Sequence, residues 1–287
     1  MSEQSGFLLI DKPGGASSFD VVRQLRRITG TRKIGHTGTL DPFATGLLIC
    51  AIGSYTRMCK FLEAQDKTYS ATLRLGSQTI TGDIEGGFIK QGEPIPTKID
   101  PEALRERALQ IRELLPPQHS ALKVQGRPAY VYARQGREVE LDPRPVTVHE
   151  FEVREYAPPD LSYVCRVSKG TYIRSLSEFL AQYLGTVGHT VRLRREAIGG
   201  ISVDEAHALD TLDPDNFQAA FHPLRKLFSG FEFLCLSGED LNALRRGQSI
   251  AGEGPDNYTI LLLDSNESLL GVARRESGTL APVINLV

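Results

Sequence analysis

GHTGTLDPFATGLL, residues 35–48, holds three glycines, three threonines, one histidine and one aspartate and ends in an apolar run. That run continues as LLICAI at 47–52, which reads as a buried strand. Upstream, SSFDVVRQLRRITG at 17–30 reads as a helix, because Ser17 with Asp20 resembles a capping box and Gly30 suits the position just past the end. The motif is therefore a loop between a helix and a buried strand. Asp41 stands alone in it before Pro42, which biases Asp41 toward extended backbone. A carboxylate so placed serves as a nucleophile or a base, and glycines beside it let a substrate approach the backbone closely. It serves equally in an Asx-type turn that closes its own loop, and spacing does not separate the two. Phosphoaspartate chemistry fits less well. In those enzymes the acid precedes the small-residue run, and here it follows.

Working outward, GFLLI at 6–10 reads as a first strand, 54–64 as a short helix and KTYSATLRLG at 67–76 as a half-buried strand. SQTITGDIEGG at 77–87 reads as loop. DPEALRERALQIREL at 100–114 reads as a helix with Asp100 at its N-cap and Pro101 in its first position. Residues 114–146 are rich in proline, glycine and basic side chains, with Tyr130 and Tyr132 among them, and are too long for a plain connection. Their PAYVYARQG core reads as a short helix ended by Gly136. Strands at about 146–155 and 161–168, a helix at 170–185 and a strand at 189–200 follow. Helices and strands mix without a steady βαβ rhythm, so the fold class is α+β with a mixed, largely antiparallel sheet flanked by helices. After about residue 230 a short capped helix and three short strands suggest a small, mostly β C-terminal domain, joined through the acidic stretch 204–229.

Composition narrows the function classes. The chain is 287 residues, 40% hydrophobic and 24% charged, ordinary for a soluble globular protein of one large or two smaller domains. No apolar run approaches the roughly 18 residues of a membrane span, and MSEQSGFLLIDKPGG does not read as a signal peptide. Cys50, Cys59, Cys165 and Cys235 are scattered, which fits free thiols in a reduced cytoplasm. The histidines lack ligand spacing, and neither a P-loop nor a dinucleotide fingerprint is present, so no metal or nucleotide cofactor is expected. Residues 204–287 hold six Lys/Arg against thirteen Asp/Glu, a net of −7, and the rest of the chain carries +5. Arg23, Arg26, Arg27, Arg32 and Lys33 form one basic stretch. Arg166, Lys169, Arg174, Arg192, Arg194 and Arg195 form another. Patches of this kind either steer a polyanion or are ordinary solvated faces.

GHTGTLDPFATGLL resembles the signature of the bacterial tRNA pseudouridine-55 synthases, the TruB type. GFLLIDKPGGASSFDVV resembles that family's N-terminal motif and KTYSATLRLG its Lys-x-Tyr strand. PPQHSALKVQGRPAYVYARQG resembles its RNA-gripping insertion, SKGTYIRSL its arginine motif and HTVRLRR its late leucine motif. The matches run in family order over about residues 6–200. The tail more weakly resembles a PUA domain, giving 1–229 as the pseudouridine synthase core, with a thumb insertion at about 114–146, and 230–287 as a PUA-like RNA-binding module. Ile201 departs from the pattern, where an aromatic residue is expected. The acidic tail implies a C-terminal module that adds little to phosphate binding.

The resemblance implies conversion of a tRNA T-loop uridine to pseudouridine. The C1′–N1 bond breaks, the base turns, and C1′ joins C5. This redox-neutral isomerisation needs no cofactor. Asp41 is implied to attack C1′ or to take a proton from C2′, facing an electron-poor sugar as glycosidase carboxylates do. Arg174 is implied to pair with it, Tyr69 to stack on the flipped uracil near C5, and Leu193 to pack on the other face of the base. His36 is implied to fill the place of the extruded base, and Lys12 to support the site. Lys123, Arg127, Arg134 and Arg137 are implied to grip the RNA from the thumb. The expected partner is the tRNA T stem-loop, with no membrane and no protein partner, and the chain acting as a cytoplasmic monomer. Two alternatives stand beside this: an RNA-binding protein that folds tRNA with catalysis secondary, and a guide-RNA-directed synthase of the dyskerin type.

Overall fold

The apolar run that closes the opening motif is the centre of a nine-stranded sheet. In the computed structural model, residues 5–287 are described, so the first four residues of the N-terminal stretch read above lie outside the described residues. The sheet is built from β1 (Gly6–Lys12), β2 (Ile34–His36), β3 (Thr45–Ile52), β4 (Lys67–Leu75), β5 (Val148–Ala157), β6 (Asp160–Val167) and β7 (Gly188–Ile198). Its order is β5-β6-β4-β7-β3-β1, then the short strand His207–Ala208, with β2 also on β3 and Ile201–Ser202 also on β7. All pairs are antiparallel except β7 with β3 and β1 with His207–Ala208. Antiparallel predominance is what the absence of a βαβ rhythm predicts. Among the described residues no helix is long and apolar enough to cross a membrane.

The period of two along β1 divides its side chains between two cores. Leu8 and Ile10 pack with Leu48, Cys50 and Ile52 of β3 under the buried face of α1 (Ser18–Thr29), which is Val21, Val22 and Leu25. Ser17 caps α1 in a capping box with Asp20, and Gly30 ends it at φ 67°. Phe7 and Leu9 point the other way. They pack with Leu47, Ile49 and Ala51, and with Phe228, Leu261, Leu263, Leu269 and Val272 from the end of the chain. A third core lies under α2 (Pro101–Leu109) and α3 (Ile173–Tyr183), against β4, β5 and β6. Asp100 accepts from the Glu102 and Ala103 amides at the start of α2, as its sequence predicts.

Five details differ from the sequence reading. The segment 77–87 is not all loop: Ser77–Thr79 pairs with Phe88–Gln91. All four residues of the second strand are exposed, so no burial alternation marks it. Helix α2 ends at Leu109, because Glu113–Leu114 leaves to pair with Arg144–Pro145. The C-terminal unit has five strands in an open, curled sheet, with Glu232–Cys235 and Ile250–Ala251 added to the three expected. Its helix Gly238–Arg245 has no side-chain cap from Ser237. Finally, the acidic stretch 204–229 is no loose linker, because Leu209, Leu212, Phe217, Leu227 and Phe228 are all buried. Ile201, where an aromatic was expected, fills part of the core shared with the C-terminal sheet.

Candidate active site

The loop that carries Asp41 is clamped from both sides. The wholly buried Lys12 Nζ donates to the Pro13, Ala16 and Pro42 carbonyls at 2.9, 2.6 and 3.2 Å. The Ser18 hydroxyl accepts from the Leu40 amide at 2.9 Å and donates to the Leu40 carbonyl at 3.2 Å. From the β7 side, Arg195 Nη2 donates to the Gly38 carbonyl at 3.1 Å and Nε to the Leu47 carbonyl at 2.7 Å. At the last glycine of the motif the protein's own backbone comes very close. At Gly46, φ +103°, an added Cβ would lie 2.3 Å from the Arg195 carbonyl oxygen. The glycine lets β7 run parallel against β3 there, Arg194 facing Thr45 and Arg195 facing Gly46.

Clamping leaves the Asp41 carboxylate free of its own loop. Both its oxygens accept from Arg174, Oδ2 from Nε at 2.9 Å and Oδ1 from Nη2 at 3.0 Å. That geometry is a bidentate pair rather than an Asx turn. Arg174 sits in the first turn of α3, and its side chain is 3% exposed against 29% for Asp41. Its Nη1 donates to the Thr81 carbonyl at 2.7 Å, and Nη2 also reaches the His119 carbonyl at 3.0 Å. Asp83 approaches the same guanidinium at 3.6 Å. Asp83 is itself buried and accepts from the Thr81 hydroxyl and the Glu85 amide. Two carboxylates thus share one arginine.

The electrostatics follow from that crowding. Burial pushes the Asp41 carboxyl above the ordinary aspartate value and Asp83 adds to the rise, while Arg174 and Lys12 oppose it. Burial lowers Lys12 to about 8 against the pull of Asp41 and Glu85. His36 is lowered by burial and by Arg195, and its Nδ1 accepts from the Gly38 amide. Glu85 is raised, by burial first and then by Asp83 and Asp41.

Asp41 and Arg174 open into a cleft of about 1480 Å³, with Tyr69, Leu193 and His36 also in its walls. That is larger than the roughly 300–1,000 Å³ of a small-molecule site and suits a segment of macromolecule. Tyr69 from β4 and Leu193 from β7 are both nearly buried and belong to one apolar cluster. The insertion leans over the opening, with Tyr130 and Arg134 in the cleft wall and the Arg134 guanidinium 5.2 Å above the Tyr130 ring. Gln118 closes the insertion's base by bonding both ways to the Val139 backbone. Lys123, Arg127 and Arg137 are exposed on it, away from the cleft wall. Lys12 is also outside the wall, beneath the loop.

The sequence reading passed over Asp83, Thr81 and His119, the remaining partners of Arg174. Only the pairing of an acid with a glycine in TGD hinted at the first. Much of the second basic stretch is paired or buried within the fold, while Lys169 and Arg192 are exposed. Arg166 pairs with Glu150 and Asp66, Arg194 with Asp11 and Glu196, and Arg195 is buried. Of the two readings that composition left open, the ordinary, non-steering one accounts for these three residues, while Lys169 stays exposed in the cleft wall.

A sequence model of the TruB family pseudouridylate synthase N-terminal domain matches residues 26–173. The chain is 42% identical over 280 residues to the tRNA pseudouridine synthase B of Leifsonia xyli subsp. xyli, covering 93% of this chain and 92% of the relative. It is 37% identical over 287 residues to the enzyme of the same name from Burkholderia mallei, covering 96% and 95%. Among solved structures, an archaeal box H/ACA sRNP Nop10–Cbf5 complex matches with a TM-score of 0.67 at 19% identity, over 98% of this chain and 86% of that one. An H/ACA RNP bound to a substrate RNA containing 2′-deoxyuridine matches at 0.66 and 20%, over 98% and 83%. At that identity the likeness is one of fold.

Proposed function

The chain belongs to the TruB family of pseudouridylate synthases, and from that premise we propose that it converts uridine 55 in the T loop of tRNA to pseudouridine, with Asp41 as the acting carboxylate. One observation carries the reading: a carboxylate gripped through both oxygens by a buried arginine, on the floor of a cleft roofed by a basic insertion. Arg174 keeps Asp41 ionised and aimed. Attack at C1′ and removal of the C2′ proton both require that state. The C1′–N1 bond breaks, the freed uracil turns between Tyr69 and Leu193, and C5 joins C1′. The C5 proton leaves to solvent and N1 is protonated, so the reaction balances without a redox partner.

His36, fixed through Nδ1 at the cleft wall, takes the place of the extruded base. Its depressed pKa makes it a neutral ring suited to stacking. Arg134, Lys123 and Arg127 on the thumb hold the RNA backbone. Lys12 supports the loop from beneath rather than touching substrate. Residues 1–229 carry the chemistry. Residues 230–287, acidic overall, serve as a PUA-like module whose contact with RNA is small. The enzyme works as a monomer in the cytoplasm, without guide RNA or protein partner.

The test is tritium release from C5-labelled uridine in an isolated T-arm stem-loop, with wild type and Asp41→Asn side by side. Release by wild type alone is expected. Tight binding with no release by either protein would favour the RNA-folding or guide-directed reading.

A further inference from the structure

Helix α1 presents an outer face that the chemistry of the cleft does not use. Its inner residues Val21, Val22 and Leu25 are buried, and the outer face carries Phe19, Arg23, Arg26 and Arg27 at helical spacing. Phe19 is 59% exposed, and it forms part of the same cleft wall as Asp41. The Arg26 guanidinium lies 5.7 Å from the centroid of its ring, which leaves the rest of the ring open. Arg26 Nε is buried and has no hydrogen-bond partner. Among the described residues only Arg23 of these three arginines has an ion-pair partner, the half-buried Asp20. Arg32 and Lys33 extend the basic track beyond the far end of the helix, also exposed. Twelve residues of α1 span about 18 Å. A basic track of that length thus begins at the cleft with an open aromatic ring.

We infer that the outer face of α1 is a second RNA contact: Phe19 stacks on a nucleobase that flanks the target uridine, and Arg26 and Arg27 bind the phosphates that follow it. The inference rests on the RNA substrate proposed above. Two observations fit RNA as the occupant. The face is cationic with little internal neutralisation, and it is continuous with the cleft that receives the target nucleotide. Every base offers a π-face to Phe19, so the contact adds affinity without demanding one flanking sequence. Arginine beside an aromatic ring adds cation–π attraction and a phosphate fork in one place.

The test pairs protein and RNA changes. Affinity for a T-arm stem-loop is measured by fluorescence anisotropy for wild type, Phe19→Ala, Phe19→Trp and Arg26→Gln/Arg27→Gln. Each is also measured on two RNAs, made abasic at the nucleotide on one side of the target or on the other. Phe19→Ala is expected to bind about ten- to a hundredfold more weakly, and Phe19→Trp to bind like wild type. On one of the two abasic RNAs the difference between wild type and Phe19→Ala should vanish, and on the other it should persist. The double arginine variant should lower the slope of log affinity against log salt by about 1.4–1.8. Phe19→Ala binding within twofold of wild type, or losing affinity equally on both abasic RNAs, would overturn the stacking contact. An unchanged salt slope would overturn the phosphate contact. Tritium release by wild type is followed in parallel. Coupling without release would sink the proposed catalysis and leave this surface standing, and release without coupling would do the reverse.

Discussion

Arg174 holds both oxygens of Asp41 at 2.9 and 3.0 Å, and its other bonds fasten it to the carbonyls of Thr81 and His119. The pair therefore ties together three segments distant in sequence: the motif loop, the 77–91 hairpin and the thumb. Substituting Asp41→Asn keeps the shape and removes the charge. Turnover should vanish while RNA affinity stays within about tenfold, roughly 1.4 kcal/mol. Single-turnover tritium release and anisotropy on the same RNA check both halves.

Arg174→Lys should behave as a severe change. A lysine cannot reproduce the fork, and Asp41 and Asp83 are left without the guanidinium between them. We expect kcat to fall by about a hundredfold or more through misplacement of Asp41. Stability should also fall, because lysine keeps the charge but cannot make all the bonds of the fork to Asp41, Thr81 and His119. Chemical denaturation beside kinetics reads the two effects.

The acid limb of the rate profile should lie above the ordinary aspartate range, because the folded site raises the Asp41 pKa and the proposed chemistry requires the ionised form. Asp83 contributes to that rise as a neighbouring like charge. Asp83→Asn should therefore move the acid limb to lower pH. A kcat/KM profile of both proteins on the stem-loop measures the shift, and a limb that stays in place would contradict the shared-arginine picture.

Lys12 predicts an alkaline limb. Its three bonds to carbonyls need three N–H donors, and the neutral amine has two. Above a pH of about 8 one carbonyl loses its partner and the loop that presents Asp41 loosens. The stability sign runs the other way. A lysine whose folded pKa is lowered costs stability while protonated, and that cost is relieved as pH rises from about 8 toward its unfolded value of 10.5. Wild type should thus lose rate above about pH 8 without unfolding. Lys12→Met should be slow throughout and lack that limb.

The end of the chain is predicted to be indispensable for folding. Leu261 and Val272 belong to one buried apolar cluster with Phe7, Leu9, Leu47 and Ile49. Leu261→Ala should cost about 2–5 kcal/mol, and near- and far-ultraviolet circular dichroism should lose signal in one shared transition. Two separated transitions would mean that the C-terminal sheet is an independent unit.

Local signals in the sequence were sufficient for elements and poor for partnerships. Ser17 with Asp20, Asp100 with Pro101, and Gly30 announced helix ends, because capping depends on neighbours in sequence. Asp41 and Arg174 are 133 residues apart, and no spacing rule joins them. The resemblance did so, and the fold brings Tyr69, Leu193 and His36 to the same cleft. Asp83 escaped because a buried acid in a short hairpin looks like any turn aspartate until its arginine is known. The basic run from Arg166 to Arg195 stayed ambiguous for the converse reason: its counterions, Asp11, Glu150 and Asp66, come from other segments. The shared core was hidden by the acidic stretch 204–229, whose charge resembles a linker while its leucines and phenylalanines are buried.

In β7, consecutive residues carry unrelated duties. Leu193 faces the cleft, Arg194 pairs with Asp11 in β1, and Arg195 grips Gly38 and Leu47. Alternation along a strand means that losing or gaining one residue there would bring a charged side chain to the place of Leu193 and withdraw the grip on the motif loop. The thumb is closed at its base by the Gln118 side chain on the Val139 backbone, and beyond that point it can change length at little cost. Insertions and deletions among descendants of this sequence should therefore collect in 114–146 and be purged from 188–198.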